Sequence, residues 1–187
     1  MTAAPLLDFI AEKESGGDYN IVWGRIKKED RPPKPLTRMT IGEVLDWQDS
    51  IDPHYLSEAA GRYQILEDTL RGLYRSAGLG LDDYFNEANQ DALAITLMRR
   101  RGYTDWLSGK ISTAKFANNL AKEWASLPVV SGPKAGRSFY DNDVAGNKSL
   151  VSVKAFLKAL ESVKSKPAFR SPWAAFLNLI LSIFRRK

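Results

Sequence analysis

The sequence predicts a mainly α-helical domain of the α+β class, with one small β-hairpin lobe and a short apolar helix after it. Three observations predict this. Apolar residues recur at i, i+3, i+4 and i+7 through most of the chain, the period of helices that bury one face. Only Tyr19-Asn-Ile-Val-Trp23, ending at Gly24, has the β-branched and aromatic content of a strand. A length of 187 residues, with 44% hydrophobic and 26% charged side chains, suffices for one core plus a short appendage.

The first helix covers residues 5 to 14. Leu7, Ile10 and Glu14 share its apolar face, whereas Asp8 and Glu12 lie on the opposite, solvated one. Gly16 and Gly17 end it, because glycine tolerates the left-handed backbone of a C-terminal cap. Arg25 to Arg38 is charged and holds Pro32, Pro33 and Pro35, which exclude a regular helix. Thr40 and Glu43 form a capping box for a helix that packs through Val44, Leu45, Trp47 and Gln48. Asp49 to Glu58 reads as loop. Gly61-Arg-Tyr-Gln64 leads into a helix with Ile65, Leu66, Leu70, Leu73 and Tyr74 as its apolar positions, stopped by Gly78. After a turn at residues 79 to 83, Asn86 introduces a helix that is apolar on most sides through Ala88, Ala92, Leu93, Ile95, Leu97 and Met98. Such a helix belongs in the centre of a helical lobe. Arg99-Arg-Arg101 suits its C-terminal dipole and reads as a solvated end. Ser112 or Thr113 caps a helix carrying Phe116, Leu120 and Trp124, ended by Pro128. Residues 129 to 148 form a long loop, from which Arg137, Phe139 and Tyr140 reach the rim of a cleft. Ser149 caps a last domain helix with Val153, Phe156, Leu157, Leu160 and Val163 on one face.

Composition excludes several chemistries. Without cysteine there is no disulfide framework and no thiolate metal site, and the single histidine, His54, rules out a histidine-clustered metal centre. His54 lies in Asp52-Pro-His-Tyr55 and reads as a surface residue. The net charge of +5 is unevenly placed. Six of the 27 basic residues follow residue 163, with no acidic one among them, leaving 21 against 22 acidic residues in the body. No nucleic-acid motif accompanies the charge, and no nucleic-acid partner is expected. The start of the chain, Met1-Thr-Ala-Ala-Pro-Leu-Leu-Asp8, lacks the positive and apolar regions of a cleavable signal peptide. A substrate outside the cytoplasm therefore requires another route of release.

Glu14 is the chemically unusual residue. A carboxyl group in the last turn of a helix, half covered by apolar neighbours, loses solvation and faces the negative end of the helix dipole. Both effects favour its protonated form, the form that a general acid for glycosidic cleavage needs. Glu14-Ser-Gly-Gly-Asp-Tyr-Asn20 resembles the catalytic-glutamate segment of the lysozyme-like superfamily, lytic transglycosylases included. Ala60-Gly-Arg-Tyr-Gln-Ile-Leu66, Asn89-Gln-Asp-Ala-Leu93, Arg101-Gly102 and Trp124-Ala-Ser-Leu-Pro128 resemble, in the same order, blocks of the lambda-type phage endolysins. The resemblance spans about residues 5 to 160. It implies a lysozyme-like fold, a catalytic role for Glu14, and a Gly-x-x-Gln block lining the cleft opposite it. Tyr63 and Gln64 then become candidates for contacting the sugar ring and its N-acetyl group, with Arg62, Tyr19 and Asn20 beside them.

The resemblance further implies a single-glutamate mechanism on bacterial peptidoglycan. Glu14 protonates the oxygen between N-acetylmuramic acid and N-acetylglucosamine, the substrate's own N-acetyl group stabilises the sugar cation, and a 1,6-anhydro end forms without water. The alternative is hydrolysis by a muramidase, with Asp18 as a second carboxylate. The aspartate that T-even-type phage lysozymes place about nine residues after the glutamate is absent, since Trp23 falls there. Asp18 is either that second carboxylate or a residue that turns the chain after Gly17. A reading of another class has the body bind glycan as a scaffold while the end of the chain disturbs membranes. No metal or organic cofactor is implied, and a monomer is expected.

The domain is expected over residues 1–163, a polar linker over 164–170, and an apolar, basic helix over 171–187. Between Pro172 and Phe184 only Asn178 and Ser182 are polar. As a helix this stretch would reach about 20 Å, short of the roughly 30 Å hydrocarbon core of a bilayer. An interfacial helix fits better, with Trp173 and Phe176 in the lipid boundary and Arg185, Arg186 and Lys187 toward anionic headgroups. The expected setting is synthesis in a host cytoplasm and action on the wall in the periplasm, at an anionic membrane surface.

Overall fold

The computed structural model describes residues 3–142 and 146–165. Among them the fold is mainly helical. α1 (Ala4–Glu14) carries Pro5 in its first turn and buries Leu6, Leu7, Ile10 and Ala11. α2 (Ile41–Ile51) starts at the expected capping box: Thr40 Oγ1 accepts from the Glu43 N–H, and Glu43 accepts from the Thr40 N–H. α3 (Glu67–Arg71), α4 (Glu87–Arg100), α5 (Tyr103–Leu107), α6 (Thr113–Leu120) and α7 (Val153–Ser165) follow. Asn86 caps α4 and Ser112 caps α6 through side-chain bonds to the N–H three residues on.

α1 packs on α7 and α4, α4 on α5, α5 on α6, and α6 back on α7, which closes a circuit around the core. Phe9 and Phe156 stack where α1 meets α7, their ring centroids 6.1 Å apart. Trp106 and Phe116 stack at 4.7 Å between α5 and α6. α2 and α3 pack together beside this circuit, and one continuous buried cluster joins both parts.

Several expectations are corrected. No β-strand forms among the described residues, so the expected hairpin is replaced by isolated bridges: Val22 with Ala60, and Ala60 with Ile65. The cause is local. Asp18 to Asn20 is turned by the Asp18 carboxylate accepting the Asn20 N–H, and both Gly61 and Gln64 take positive φ, so each pairing stops after one residue. The helix expected from Ile65 starts only at Glu67 and breaks at Gly72, with a 3-10 turn over Tyr74–Ala77 before Gly78. α2 runs on to Ile51 where loop was expected. α5 was not foreseen, and α6 ends at Leu120, leaving Trp124 beyond it. Ser152, not Ser149, caps α7 by accepting the Ala155 N–H. Asp8 is exposed, as expected, and also accepts from Arg62 Nη2 at 2.6 Å. Arg101 likewise pairs with Glu123 at 2.5 Å and is no free helix end. The linker expected from residue 164 begins later, since α7 still includes Lys164 and Ser165; the rest of it and the expected helix over 171–187 lie outside the described residues.

Candidate functional site

Glu14 is the last residue of α1. The chain leaves the helix through Gly16 and Gly17, both at positive φ, which lets it turn away and leave the carboxyl facing a groove. Ser15 fixes that exit. Its Oγ lies 2.9 Å from the Ala11 carbonyl and 2.8 Å from the Arg62 carbonyl, and it accepts from the Gly17 N–H. The end of α1 is thereby tied to the loop that carries Gln64.

Two forces set the state of Glu14. Burial pushes its carboxyl above the ordinary value of 4.5, while hydrogen bonds from the side chain and backbone of Ser126 pull it back, and the net shift is upward. The Ser126 hydroxyl donates to Glu14 Oε1 at 2.5 Å. Ser126 is itself buried, and its carbonyl accepts from the Leu150 N–H, so the approach to α7 holds it in place. A carboxyl group pushed toward its protonated form, fixed by a hydrogen bond and open to a groove, can deliver a proton to a bound substrate.

The groove consists of two cavities that meet at Glu14, Trp23 and Gln64. The larger, about 820 Å³, runs along Asp18, Asn20 to Gly24, Arg31, Pro32 and Lys34 to Leu36. The smaller, about 440 Å³, is walled by Leu56, Ser57, Trp124, Ala125 and Tyr140. Together they suit an extended substrate that passes across Glu14 rather than a small molecule held in one pocket.

Gln64 lines both cavities together with Glu14 and sits on a loop clamped from below. Gln48 Nε2 donates to the carbonyls of Glu58 and Ile65, both at 2.9 Å. Gln90, fully buried, accepts from the Arg62 N–H at 2.8 Å and donates to the carbonyls of Tyr19 and Phe85. Trp124 Nε1 donates to the Tyr63 carbonyl at 3.2 Å. At Gly61, φ is +73° and a Cβ would come within 2.3 Å of Gln90 Oε1, so only glycine fits there. Gln64 itself sits at φ +48°, an uncommon conformation for a residue with a side chain, of the sort that concentrates at binding sites.

The predicted site residues divide into two groups. Glu14, Asp18, Asn20 and Gln64 line the groove. Asn20 also accepts from the N–H and hydroxyl of Thr37, which joins the two sides of the larger cavity's wall. Arg62, Tyr63 and Tyr19 line neither cavity. Tyr63 is 1% exposed and donates to Asp91 Oδ1 at 2.6 Å; Tyr19 donates to the same oxygen, and the Arg62 guanidinium stacks on both rings while bonding Asp91 and Asp8. Burial first, and Asp91 second, push the Tyr63 hydroxyl up, so it stays a donor. Burial works against the Arg62 charge, but the bond to Asp8, the nearby Tyr63 and Tyr19 and the bond to Asp91 together outweigh it, and the net shift is upward. This network braces the loop from behind. Of the rim residues, Tyr140 lines the smaller cavity, while Arg137 pairs with Asp141. Trp173, Phe176, Arg185, Arg186 and Lys187 lie outside the described residues.

Ser126 and Gln90 were not singled out from the sequence. Ser126 reaches across 112 positions to Glu14, and no spacing rule connects them. Gln90, a polar residue amid the apolar positions of a helix predicted to be central, was the available signal. No group of three or more His, Asp or Glu side chains among the described residues is placed to hold a metal ion. No described helix is long and apolar enough to cross a membrane.

A family model described as Endolysin matches residues 45–149, more than half of the chain. The match takes in Gln64, Gln90 and Ser126 and begins after Glu14. No curated protein and no solved structure matches.

Proposed function

Because this chain belongs to the endolysin family, the phage enzymes that degrade the bacterial cell wall, we propose that it cuts the glycan strands of peptidoglycan between N-acetylmuramic acid and N-acetylglucosamine, with Glu14 as the acid. The observation that carries this reading is the Glu14 carboxyl: pushed toward its protonated form by burial, bonded by Ser126, and placed where two arms of one groove meet. A glutamate ending the first helix, facing a Gly-x-x-Gln loop across a cleft, also supports a lysozyme-like fold.

In the proposed sequence Glu14 gives its proton to the glycosidic oxygen as the bond to C1 breaks, and the neighbouring N-acetyl group shares the positive charge left on the sugar. The carboxylate then takes the proton of the C6 hydroxyl, and O6 bonds to C1. Glu14 ends protonated, water is not consumed, and the product is a 1,6-anhydro-muramic end. In this reading Gln64, which lines both cavities with Glu14, hydrogen-bonds the N-acetyl group through the part of its amide not taken by the bond from Nε2 to the Gly61 carbonyl. Hydrolysis is the second reading. Asp18 favours it by lining the same cavity as Glu14, although one of its oxygens already accepts the Asn20 N–H.

Mass spectrometry of muropeptides released from purified cell walls tests both readings. Anhydro-muramic ends establish the transglycosylase, and reducing muramic ends establish the muramidase and direct attention to Asp18. Glu14→Gln is expected to lower release by about 10²- to 10⁴-fold. Undiminished release from that variant overturns the assignment of the acid.

A further inference from the structure

The two arms of the groove differ in charge. Arg31 and Lys34 stand on the wall of the larger cavity, and among the described residues no cation lines the smaller one. The wall belongs to residues 25–38, which hold Arg25, Lys27, Lys28, Arg31, Lys34 and Arg38 against only Glu29 and Asp30. This concentration stands out because the body as a whole is close to neutral. Asp30 is turned away from Arg31: its carboxylate accepts from the Tyr55 hydroxyl and its carbonyl accepts from Trp47 Nε1 at 2.9 Å. Lys34 is engaged by Glu43 at 2.7 Å. Arg31 has no ion pair among the described residues. Its Nε donates to the Ile26 carbonyl at 3.3 Å, which orients the guanidinium and leaves the Nη pair for an outside acceptor. Two acidic groups share this cavity, Glu14 and Asp18; the first is held toward its neutral form and the second accepts a backbone N–H.

A guanidinium with two spare donors fits a carboxylate in a forked pair. On intact peptidoglycan, carboxylates are carried by the peptide stems that branch from the muramic sugars. We propose that the larger cavity is the arm of the groove that takes an acidic peptide stem, with Arg31 pairing a stem carboxylate. The inference rests on the glycan-cleaving reading above and adds a preference to it: the enzyme distinguishes an acidic wall from the same wall with its stem charges removed.

The test compares purified peptidoglycan with the same material after its carboxyl groups are coupled to methylamine, which keeps glycan and peptide bulk and removes the charge. The full-length protein is expected to require about two- to fivefold more of the neutralised wall for half-maximal cleavage, the range of an exposed ion pair, and less as salt is raised. Arg31→Gln is expected to bring the two walls to the same value, and Arg31→Glu to favour the neutralised one. Equal use of both walls by the unaltered protein, or undiminished discrimination by Arg31→Gln, overturns the stem site while leaving glycan cleavage standing. Failure to cut either wall removes the glycan-cleaving reading itself, and the stem site with it.

Discussion

Burial and Ser126 pull the Glu14 carboxyl in opposite directions, and their balance decides the pH range over which the acid can work. A general acid must be protonated when substrate is bound, so activity falls as pH rises through the pKa of Glu14. Ser126 donates its hydroxyl to the carboxylate, which favours the ionised form and lowers a value that burial has raised. Ser126→Ala removes that donor but keeps the backbone bond. The remaining shift is upward, so the alkaline limb of the kcat/KM profile on purified cell wall is expected to move to higher pH. A limb that stays in place or moves down would take Ser126 out of the tuning of the acid. Glu14 could be picked out in the sequence because its helical phase puts a carboxyl among Leu7 and Ile10, and phase is a local property. Its partner could not, because two side chains 112 positions apart meet only through the packing of α1 and the chain before α7.

At the scale of the element, the loop from Glu58 to Glu67 is a short backbone excursion whose shape comes almost wholly from side chains beneath it. Gln90 contributes one bond to it from within α4, to the N–H of Arg62, and ties the loop to its surroundings by two more, to the carbonyls of Tyr19 and Phe85. Gln90→Ala would leave these buried groups without partners, at a cost of about 3 to 5 kcal/mol in urea unfolding. A loss under about 1 kcal/mol would mean that water or a rearranged loop replaces the clamp. The starts of α2, α4 and α6 were legible because their signals are local: Thr40 with Glu43, Asn86 and Ser112 each sit at a cap the structure uses. The β lobe was not legible. Tyr19 to Trp23 has strand-forming side chains, but strand formation needs a partner that stays extended, and Gly61 and Gln64 turn that partner away after single bridges. α5 was missed for a related reason, since five residues show too little of a helical period.

For the whole molecule the governing feature is the separation of charge. The body carries nearly equal numbers of acidic and basic residues, while the stretch after residue 163 carries six basic residues and no acidic one, around an apolar run from Pro172 to Phe184. An enzyme of the cell wall works close to anionic surfaces, and each basic side chain near such a surface adds roughly 1 kcal/mol of attraction. We propose that this stretch holds the protein at them. The full chain is then expected to co-sediment with vesicles containing phosphatidylglycerol and to be released by salt, whereas a chain ended after Ser165, where α7 stops, is not retained. The comparison has a built-in rival, because residues 25–38 are also basic and belong to the body. If the shortened chain binds these vesicles as tightly as the whole protein, the affinity resides in the groove wall instead. Retention that vanishes with the stretch assigns membrane attraction to residues after 165 and leaves Arg31 to the substrate.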